Sequence, residues 1–308
     1  MDLLVSRGHE VEILDDFSTG VKENIEHLRN AKRVSISHGS ILDLNLVNQL
    51  VGKVDRVFHL AAAVGVFSIM NSPLSSLLTN INGTEIVLTA CLKQNKPFFL
   101  TSSSEIYGKS PSARLSENCD RVVGPPSISR WSYSDSKAID EHLTLSTHRE
   151  KGLEVRIVRL FNTVGPRQLG NYGMVIPRFV ESAVGDRPIT IYGSGLQNRS
   201  FGHVSDIVRA MYLVDQCPLA IGAPINIGSE HEISILDLAN KIIEHTKSNS
   251  TIEHIGYKEV LGESFEDMER RFPDTSLLRK LTGWTPLENL DTIIRDVSIF
   301  IRARMVNQ

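Results

Sequence analysis

Short apolar segments rich in β-branched residues alternate with helical segments through the first half of the chain, and this alternation is the feature that most constrains the fold. The candidate strands cover residues 11–15, 33–36, 55–60, 97–102 and 154–160, and the helices between them centre on residues 45–51, 74–94 and 132–151. Apolar strands separated by amphipathic helices are typical of a parallel sheet covered on both faces. The sequence therefore predicts an α/β fold with a doubly wound parallel sheet.

The pattern of alternating strands and helices ends at about residue 165. A loop rich in Gly and Pro at residues 164–173 is followed by helical segments at 175–184 and 206–216, with a short strand at 189–195 between them. Loops and short elements in this mixture tend to form pockets. We therefore predict a first unit over residues 1–165 and a smaller α+β substrate-binding region over residues 166–308, partly interleaved with the first.

The composition argues against several classes of function. The chain has 308 residues with 33 basic and 36 acidic side chains, and its net charge of −3 gives no overall field that would attract nucleic acid or a membrane. Its three cysteines, Cys91, Cys119 and Cys217, lie far apart, which predicts neither disulfides nor a metal site. No signal-peptide pattern or long apolar run is visible. We expect a cytoplasmic enzyme without a metal.

The N-terminal segment lacks the glycines that a doubly wound nucleotide-binding fold places after its first strand. Those glycines let the backbone approach a pyrophosphate at a helix N-terminus. Here the segment reads as the end of a helix stopped at Gly8, followed by a strand that ends in Asp15. In this fold, a carboxylate at the end of the second strand hydrogen-bonds the adenosine ribose of NAD and repels a 2′-phosphate. The sequence thus predicts NAD rather than NADP.

The motifs SRGHEV, LDD and STG in this segment are similar to those of the extended short-chain dehydrogenases/reductases, in particular the NAD-dependent nucleotide-sugar epimerases and dehydratases. The resemblance covers nearly the whole chain and implies a Rossmann-like fold with bound NAD. In that family a strand and a Gly-x-x-Gly-x-x-Gly turn precede these motifs. Because that strand is central, we expect its two neighbours to have lost their shared partner. We also expect that the natural reading frame starts upstream of Met1, or that the chain is a truncated product.

Tyr133 and Lys137 lie four residues apart in the predicted helical segment WSYSDSK. On one helix face the ammonium could favour the ionised phenol, whose ordinary pKa is about 10. The spacing alone is more typical of two amphipathic side chains on a surface helix. The resemblance changes this, because it implies that Tyr133 exchanges a proton with a sugar hydroxyl, that Lys137 stabilises the phenolate and that Ser103 hydrogen-bonds the reacting oxygen. Glu105 completes the predicted catalytic set.

The resemblance also implies two sets of binding residues. Besides Tyr133 and Lys137, the cofactor-binding set is Asp15, Asp16, Ile41, Leu60, Ala61, Ala62 and Asn80. The substrate-binding set is Ser104, Asn162, Val175, Tyr192, Arg199 and Arg271. Asn162 would donate to a phosphate, and Tyr192 would offer a surface to the nucleobase. Arg199 and Arg271 would hold the pyrophosphate, since one guanidinium group can donate two hydrogen bonds to phosphate oxygens. Each assignment has a simpler alternative. Asn162 could be only a polar strand end, Asn80 could bond a neighbouring turn, and the two arginines could be ordinary exposed side chains.

The implied chemistry is a transient oxidation of the sugar, after which the subfamilies differ. The segments RWSYSDSK and LFNTVGPRQ favour a UDP-sugar 4-epimerase, which oxidises C4 and returns the hydride to the other face. A UDP-glucuronate decarboxylase is similar in the pair Ser104-Glu105, whereas a nucleotide-sugar 4,6-dehydratase, with Asp-Glu there, is disfavoured. A non-catalytic relative that binds a nucleotide-sugar is a further alternative because the Gly-rich turn is absent, although the presence of Ser103, Tyr133 and Lys137 argues against it.

The predicted partners are a nucleotide-sugar, most simply a UDP-sugar, and a second copy of the chain. The resemblance implies a homodimer in which helices 74–94 and 132–151 of each subunit form a four-helix bundle. We expect neither nucleic acid nor a membrane as a partner.

Overall fold

The computed structural model describes residues 1–170, 173–261 and 266–306, and its largest sheet is parallel and four-stranded. In this sheet, β4 (Phe98–Ser103) lies between β3 (Val57–His59) and β5 (Val155–Leu160), and β10 (Pro224–Ile227) pairs with the other edge of β5. Strand β4 is apolar at its start and hydroxyl-rich at its end, so its buried half anchors the core and its last residues reach the sheet edge.

Helices cover both faces of this sheet. On one face pack α2 (Leu44–Val51), α4 (Pro73–Lys93) and α5 (Ser132–Lys151), and on the other pack α7 (Val204–Gln216) and α10 (Ser276–Thr282). Since both faces are covered, the central strand residues are excluded from solvent, as the apolar sequence of these strands requires. The predicted doubly wound α/β class is confirmed.

A second parallel pair lies apart from the main sheet. It consists of β1 (Val11–Asp15) and β2 (Val34–His38), preceded by the short helix α1 (Asp2–Ser6). Within the described ranges no strand pairs with both β1 and β3, so the parallel sheet is divided into two pieces. In the described chain, β1 and β3 therefore have no common hydrogen-bonded neighbour.

The second half of the chain builds another core. That core contains α6 (Val175–Val184), β7 (Ile189–Tyr192), α8 (Ile235–Thr246), β12 (Ile252–Ile255) and α11 (Leu290–Val306). Beside it, β8 (Asn198–Ser200) pairs with β11 (Glu232–Ser234) and β13 (Arg270–Arg271). The remaining elements are α3 (Val66–Asn71), β6 (Thr163–Val164), β9 (Gly202–His203) and α9 (Tyr257–Leu261).

Three elements from the second half return to the first. Strand β10 extends the main sheet, and α7 and α10 pack on it, so the chain crosses between the two halves more than once. The division at residue 165 itself stays a prediction. Across the described ranges, the structure contains no helix that is both long enough and apolar enough to span a bilayer.

Candidate functional site

Three segments that carry predicted catalytic or binding residues meet at the carboxyl edge of the main sheet. The end of β4 continues into a 3₁₀ turn (Ser104–Tyr107), the first turns of α5 pack against that turn, and β5 is followed by Asn162. Ligands of doubly wound folds bind at this edge, beyond the carboxyl ends of the strands. The topology therefore gathers residues that lie about 60 positions apart into one place.

Glu105 is the centre of the charged part of this site. Its carboxylate pairs with Arg130 (Nη2 to Oε2, 2.5 Å) and with Nη1 of Arg271, and all three side chains are largely buried. Burial opposes ionisation, but the charges and hydrogen bonds of Arg130 and Arg271 outweigh it and lower the pKa of Glu105 to about 2. One carboxylate is thus shared by two guanidinium groups. The cluster carries a net positive charge and suits an anionic ligand.

Tyr133 faces the same cluster from the first turn of α5. Burial and the charge of Glu105 raise the pKa of its phenol, and a hydrogen bond with Ser103 acts in the opposite direction. The Ser103 hydroxyl also accepts a hydrogen bond from the backbone N–H of Glu105 at 3.2 Å. Ser103, Glu105 and Tyr133 are therefore brought together, with the phenol in its protonated form.

Lys137 contacts two groups of the core. Its ammonium lies 3.3 Å from the carbonyl oxygen of Thr101 and 3.3 Å from Oδ2 of Asp140, one turn further along α5. The buried Asp140 offers the ammonium a full negative charge on the same helix face. The effect predicted for Lys137 on the pKa of Tyr133 stays a prediction.

The two predicted phosphate-binding arginines are direct neighbours. Arg271 in β13 is in register with Arg199 in β8. Arg199 is paired with Asp267 at 2.7 Å, and Arg271 contacts the side-chain oxygen of Asn162 as well as Glu105. One N–H of the Asn162 amide donates to the carbonyl oxygen of Ser200 at 2.8 Å, which leaves its second N–H for a ligand.

The other predicted substrate residues, Tyr192, Val175 and Ser104, lie on β7, on α6 and in the turn after β4. Tyr192 ends β7, and the guanidinium of Arg178 lies over its ring at 4.1 Å, so one ring face is covered. Val175 opens α6 and packs against the second core. Ser104 is buried, and its hydroxyl has no hydrogen-bond partner among the described residues. A buried hydroxyl without a partner is a suitable contact for a substrate atom.

The predicted adenosine end of the cofactor site is open. Asp15 and Asp16 are exposed at the end of β1, and each accepts a hydrogen bond from a backbone N–H two residues later. After β3, Leu60 and Ala61 are exposed and Ala62 is half-buried. The role of these positions in binding NAD stays a prediction.

Two predicted cofactor residues have structural partners instead. The side chain of Ile41 packs against Gly83 of α4, where any side chain at position 83 would clash with it. Asn80 bonds the backbone of Ala63 (2.7 Å) and donates to the Ser136 hydroxyl (3.2 Å), so it holds the turn after β3 against α5. For Asn80 the simpler alternative, a bond to a neighbouring turn, describes what the structure shows.

Three residues that the site contains were not selected from the sequence. Arg130 precedes Tyr133 by three positions, Asp140 follows Lys137 by three, and Asp267 lies in the segment before Arg271. Only the i, i+3 spacing of Lys137 and Asp140 was available as a signal. In the part of the chain that is described, no group of three or more His, Cys, Asp or Glu side chains could hold a metal ion.

Comparison with known proteins identifies the family. The model of the GDP-mannose 4,6-dehydratase family matches residues 1–297. This chain belongs to the GDP-mannose 4,6-dehydratase family. That family lies within the extended short-chain dehydrogenases/reductases. The related proteins are NAD-dependent epimerases, dehydratases and decarboxylases of nucleotide-sugars. The predicted family, with its NAD-dependent enzymes, is confirmed.

Relatives within the GDP-mannose 4,6-dehydratase family include both decarboxylases and epimerases. The chain is 40% identical to UDP-N-acetyl-alpha-D-glucosaminuronate decarboxylase of Bacillus cytotoxicus, over 92% of this chain and 87% of that protein. It is 32% identical to UDP-glucuronic acid decarboxylase 1 of Xenopus tropicalis, over 100% of this chain and 70% of that protein. The solved UDP-glucuronic acid 4-epimerase of Bacillus cereus, in complex with UDP-glucuronic acid and NAD, is 25% identical with a TM-score of 0.87, over 98% of this chain and 94% of that one.

Proposed function

We propose that the chain is an NAD-dependent decarboxylase of a UDP-hexuronate, and that its substrate-binding cluster is Glu105 with Arg130 and Arg271. The observation that carries this proposal is the net positive, buried cluster beside Tyr133 and Ser103. A uronate carboxylate is the anionic group that distinguishes these substrates from neutral hexoses. The identity of 40% to a decarboxylase of UDP-N-acetyl-alpha-D-glucosaminuronate supports the same choice.

The residues fit NAD at both ends of the proposed path, with Asp15 for the adenosine ribose and Lys137 for the nicotinamide ribose. When bound, NAD would accept a hydride from C4 of the sugar and later return it. A ketone at C4 makes the carboxylate on C5 that of a β-keto acid, from which CO₂ leaves readily. The chemistry therefore follows from the substrate once the C4 hydroxyl is oxidised.

The side chains of this chain would manage protons and charge. Tyr133, once its own phenolic proton has passed to solvent, would take the proton of the C4 hydroxyl and return it when the ketone is reduced, with Ser103 hydrogen-bonded to the same oxygen. Glu105 has a pKa of about 2 and so stays ionised, which assigns it to holding the two guanidinium groups rather than to donating a proton. Loss of CO₂ leaves an enolate with negative charge on the C4 oxygen, where the phenol of Tyr133, which now carries the C4 hydroxyl proton, stabilises it. A proton from solvent at C5 then restores the C4 ketone.

A UDP-hexuronate 4-epimerase is the second candidate, and it is one form of the UDP-sugar 4-epimerase that the sequence favoured. The observation in its favour is the fold shared with the solved UDP-glucuronic acid 4-epimerase at 25% identity. Both functions use the same oxidation at C4. They differ in whether the sugar keeps its carboxylate after that oxidation.

Product analysis tests the proposal directly. We expect purified protein, incubated with NAD and with UDP-glucuronic acid or UDP-N-acetylglucosaminuronic acid, to release CO₂ and form the corresponding UDP-pentose by proton NMR. A product that keeps its carboxylate with C4 inverted would establish the epimerase instead. Unchanged substrate in both reactions, from protein that binds NAD, would reject both functions.

We also propose a homodimer through α4 and α5. Leu74 and Leu78 on α4 are 69% and 47% exposed, and Ile139 on α5 is 40% exposed. The two helices pack against each other, and these three exposed side chains of the pair are together called the apolar strip. A second copy of the same strip is the partner that fits it, since isologous contacts are the commonest in homodimers.

A further inference from the structure

The ammonium of Lys137 is held by two buried acceptors. One is the Thr101 carbonyl oxygen at the end of β4, and the other is the Asp140 carboxylate, each at 3.3 Å. Asp140 is 0% exposed, so this carboxylate is removed from water together with the ammonium. An ammonium has three N–H donors, and these two contacts leave one for a further acceptor.

We propose that Asp140 is a positioning residue for the reaction, which keeps Lys137 charged in its buried place and leaves its third N–H for the nicotinamide ribose. This inference rests on the proposed role of NAD. Asp140 touches neither substrate nor cofactor in this scheme. It acts through Lys137.

The charged groups around Lys137 have other partners. Glu141 is paired with Arg159 at 2.7 Å and accepts a hydrogen bond from Ser102. Glu105 is paired with two arginines, and the phenol of Tyr133 is protonated. From β3, His59 bonds the Thr84 hydroxyl, and burial followed by the charge of Lys137 lowers its pKa to about 3. His59 is therefore neutral at any pH near 7.

Asp140 itself has a raised pKa, because burial opposes its ionisation more than the charge of Lys137 favours it. A buried ammonium and a buried carboxylate therefore depend on each other for their charges. If the carboxylate is removed, the ammonium is left buried with only a neutral carbonyl, and burial then favours the neutral amine. A neutral amine holds the ribose less firmly and cannot stabilise a phenolate.

The test is a cycle of NADH affinities, measured by fluorescence without any nucleotide-sugar. The proteins are the wild type, Asp140→Asn, Lys137→Met and the double variant. Asparagine keeps the size and one acceptor of aspartate but removes its charge. We expect the affinity of Asp140→Asn to fall by about tenfold as the pH rises from about 6 to about 9. Neither protein that contains Lys137→Met should show this dependence.

Asp135→Asn is the matched control, because Asp135 lies on the same helix and pairs with Arg121 at the surface. It should follow the wild type at every pH. If the Asn variant does not fold, Asp140→Ser replaces it with the same expected result. The proposal is overturned if Asp140→Asn weakens binding equally at all pH values or not at all, or if the pH dependence persists with Lys137→Met.

Absence of NADH binding by the wild type would also overturn it, since the inference assigns Lys137 to that cofactor. The outcome is independent of the reaction catalysed. If the NADH affinities of the four proteins show the expected pH dependence but the wild type decarboxylates no UDP-hexuronate, the role of Asp140 is supported and the proposed function is rejected.

Discussion

The phenol of Tyr133 is protonated and hydrogen-bonded to Ser103, within the field of an ionised carboxylate. We expect Tyr133→Phe to lower turnover by about 10²- to 10⁴-fold, because the phenylalanine ring cannot exchange the proton of the C4 hydroxyl. The thermal midpoint and NADH affinity should stay near those of the wild type. Steady-state kinetics with the accepted UDP-hexuronate give the measurement.

Tyr212→Phe is the control for that substitution, since Tyr212 packs against Arg7 away from the site. It should keep full activity. Turnover by Tyr133→Phe at the wild-type rate would remove Tyr133 from the mechanism.

The Glu105 carboxylate is expected to make the free energy of unfolding depend on pH in the acid range. Its folded pKa of about 2 lies below its ordinary value of 4.5, so its contribution to the free energy of unfolding is present above about pH 4.5 and is lost as the pH falls toward 2. A shift of this size corresponds to about 3 kcal/mol. We expect Glu105→Gln to be less stable than the wild type at neutral pH, with a difference that shrinks between pH 5 and pH 2. Urea unfolding over this range measures it.

The exposed Glu23 provides the comparison for the acid series. Glu23→Gln should unfold like the wild type throughout. A difference between Glu105→Gln and the wild type that does not change with pH would show that the carboxylate keeps an ordinary pKa in the folded protein.

At the scale of elements, α4 and α5 have one buried side and one apolar strip in solvent. We expect Leu78→Glu to convert the dimer to monomer, because it places a charge in the centre of that strip. Sedimentation velocity measures the change. Leu219→Glu is the control, since Leu219 is also an exposed leucine but lies in the turn Pro218–Ala220, outside both helices. A monomeric wild type, or equal behaviour of the two variants, would reject this interface.

The strands and helices of the first half were predictable from the sequence because each depends on its own pattern. The five predicted strands differ from the observed ones by two residues or fewer at either end. Apolar runs mark where a strand is buried, and Gly8 and Gly283 mark where helices end in the left-handed conformation. Local rules suffice for such features.

The partners of the charged residues were not predictable in the same way. The pairs of Glu105 with Arg130 and Arg271, and of Lys137 with Asp140, are decided by which charges compete for one another after the chain has folded. Arg199 and Arg271 were expected at one site, and they are neighbours, but Asp267, the acidic partner of Arg199, comes from a segment that carries no motif. The family resemblance identified the site residues, whereas their ion-pair partners depend on how the folded chain packs.

At the scale of the whole molecule, the division of the parallel sheet separates two parts of the proposed cofactor path. Asp15 belongs to the pair of strands β1 and β2, whereas Tyr133 and Lys137 pack on the four-stranded sheet. No backbone ladder between described strands connects the two pieces, so the amides of β1 and β2 can exchange with solvent while the main sheet stays closed. A dinucleotide that contacts Asp15 at one end and Lys137 at the other would join the pieces mechanically. Cofactor occupancy would then determine whether the protein unfolds as one cooperative body or as two.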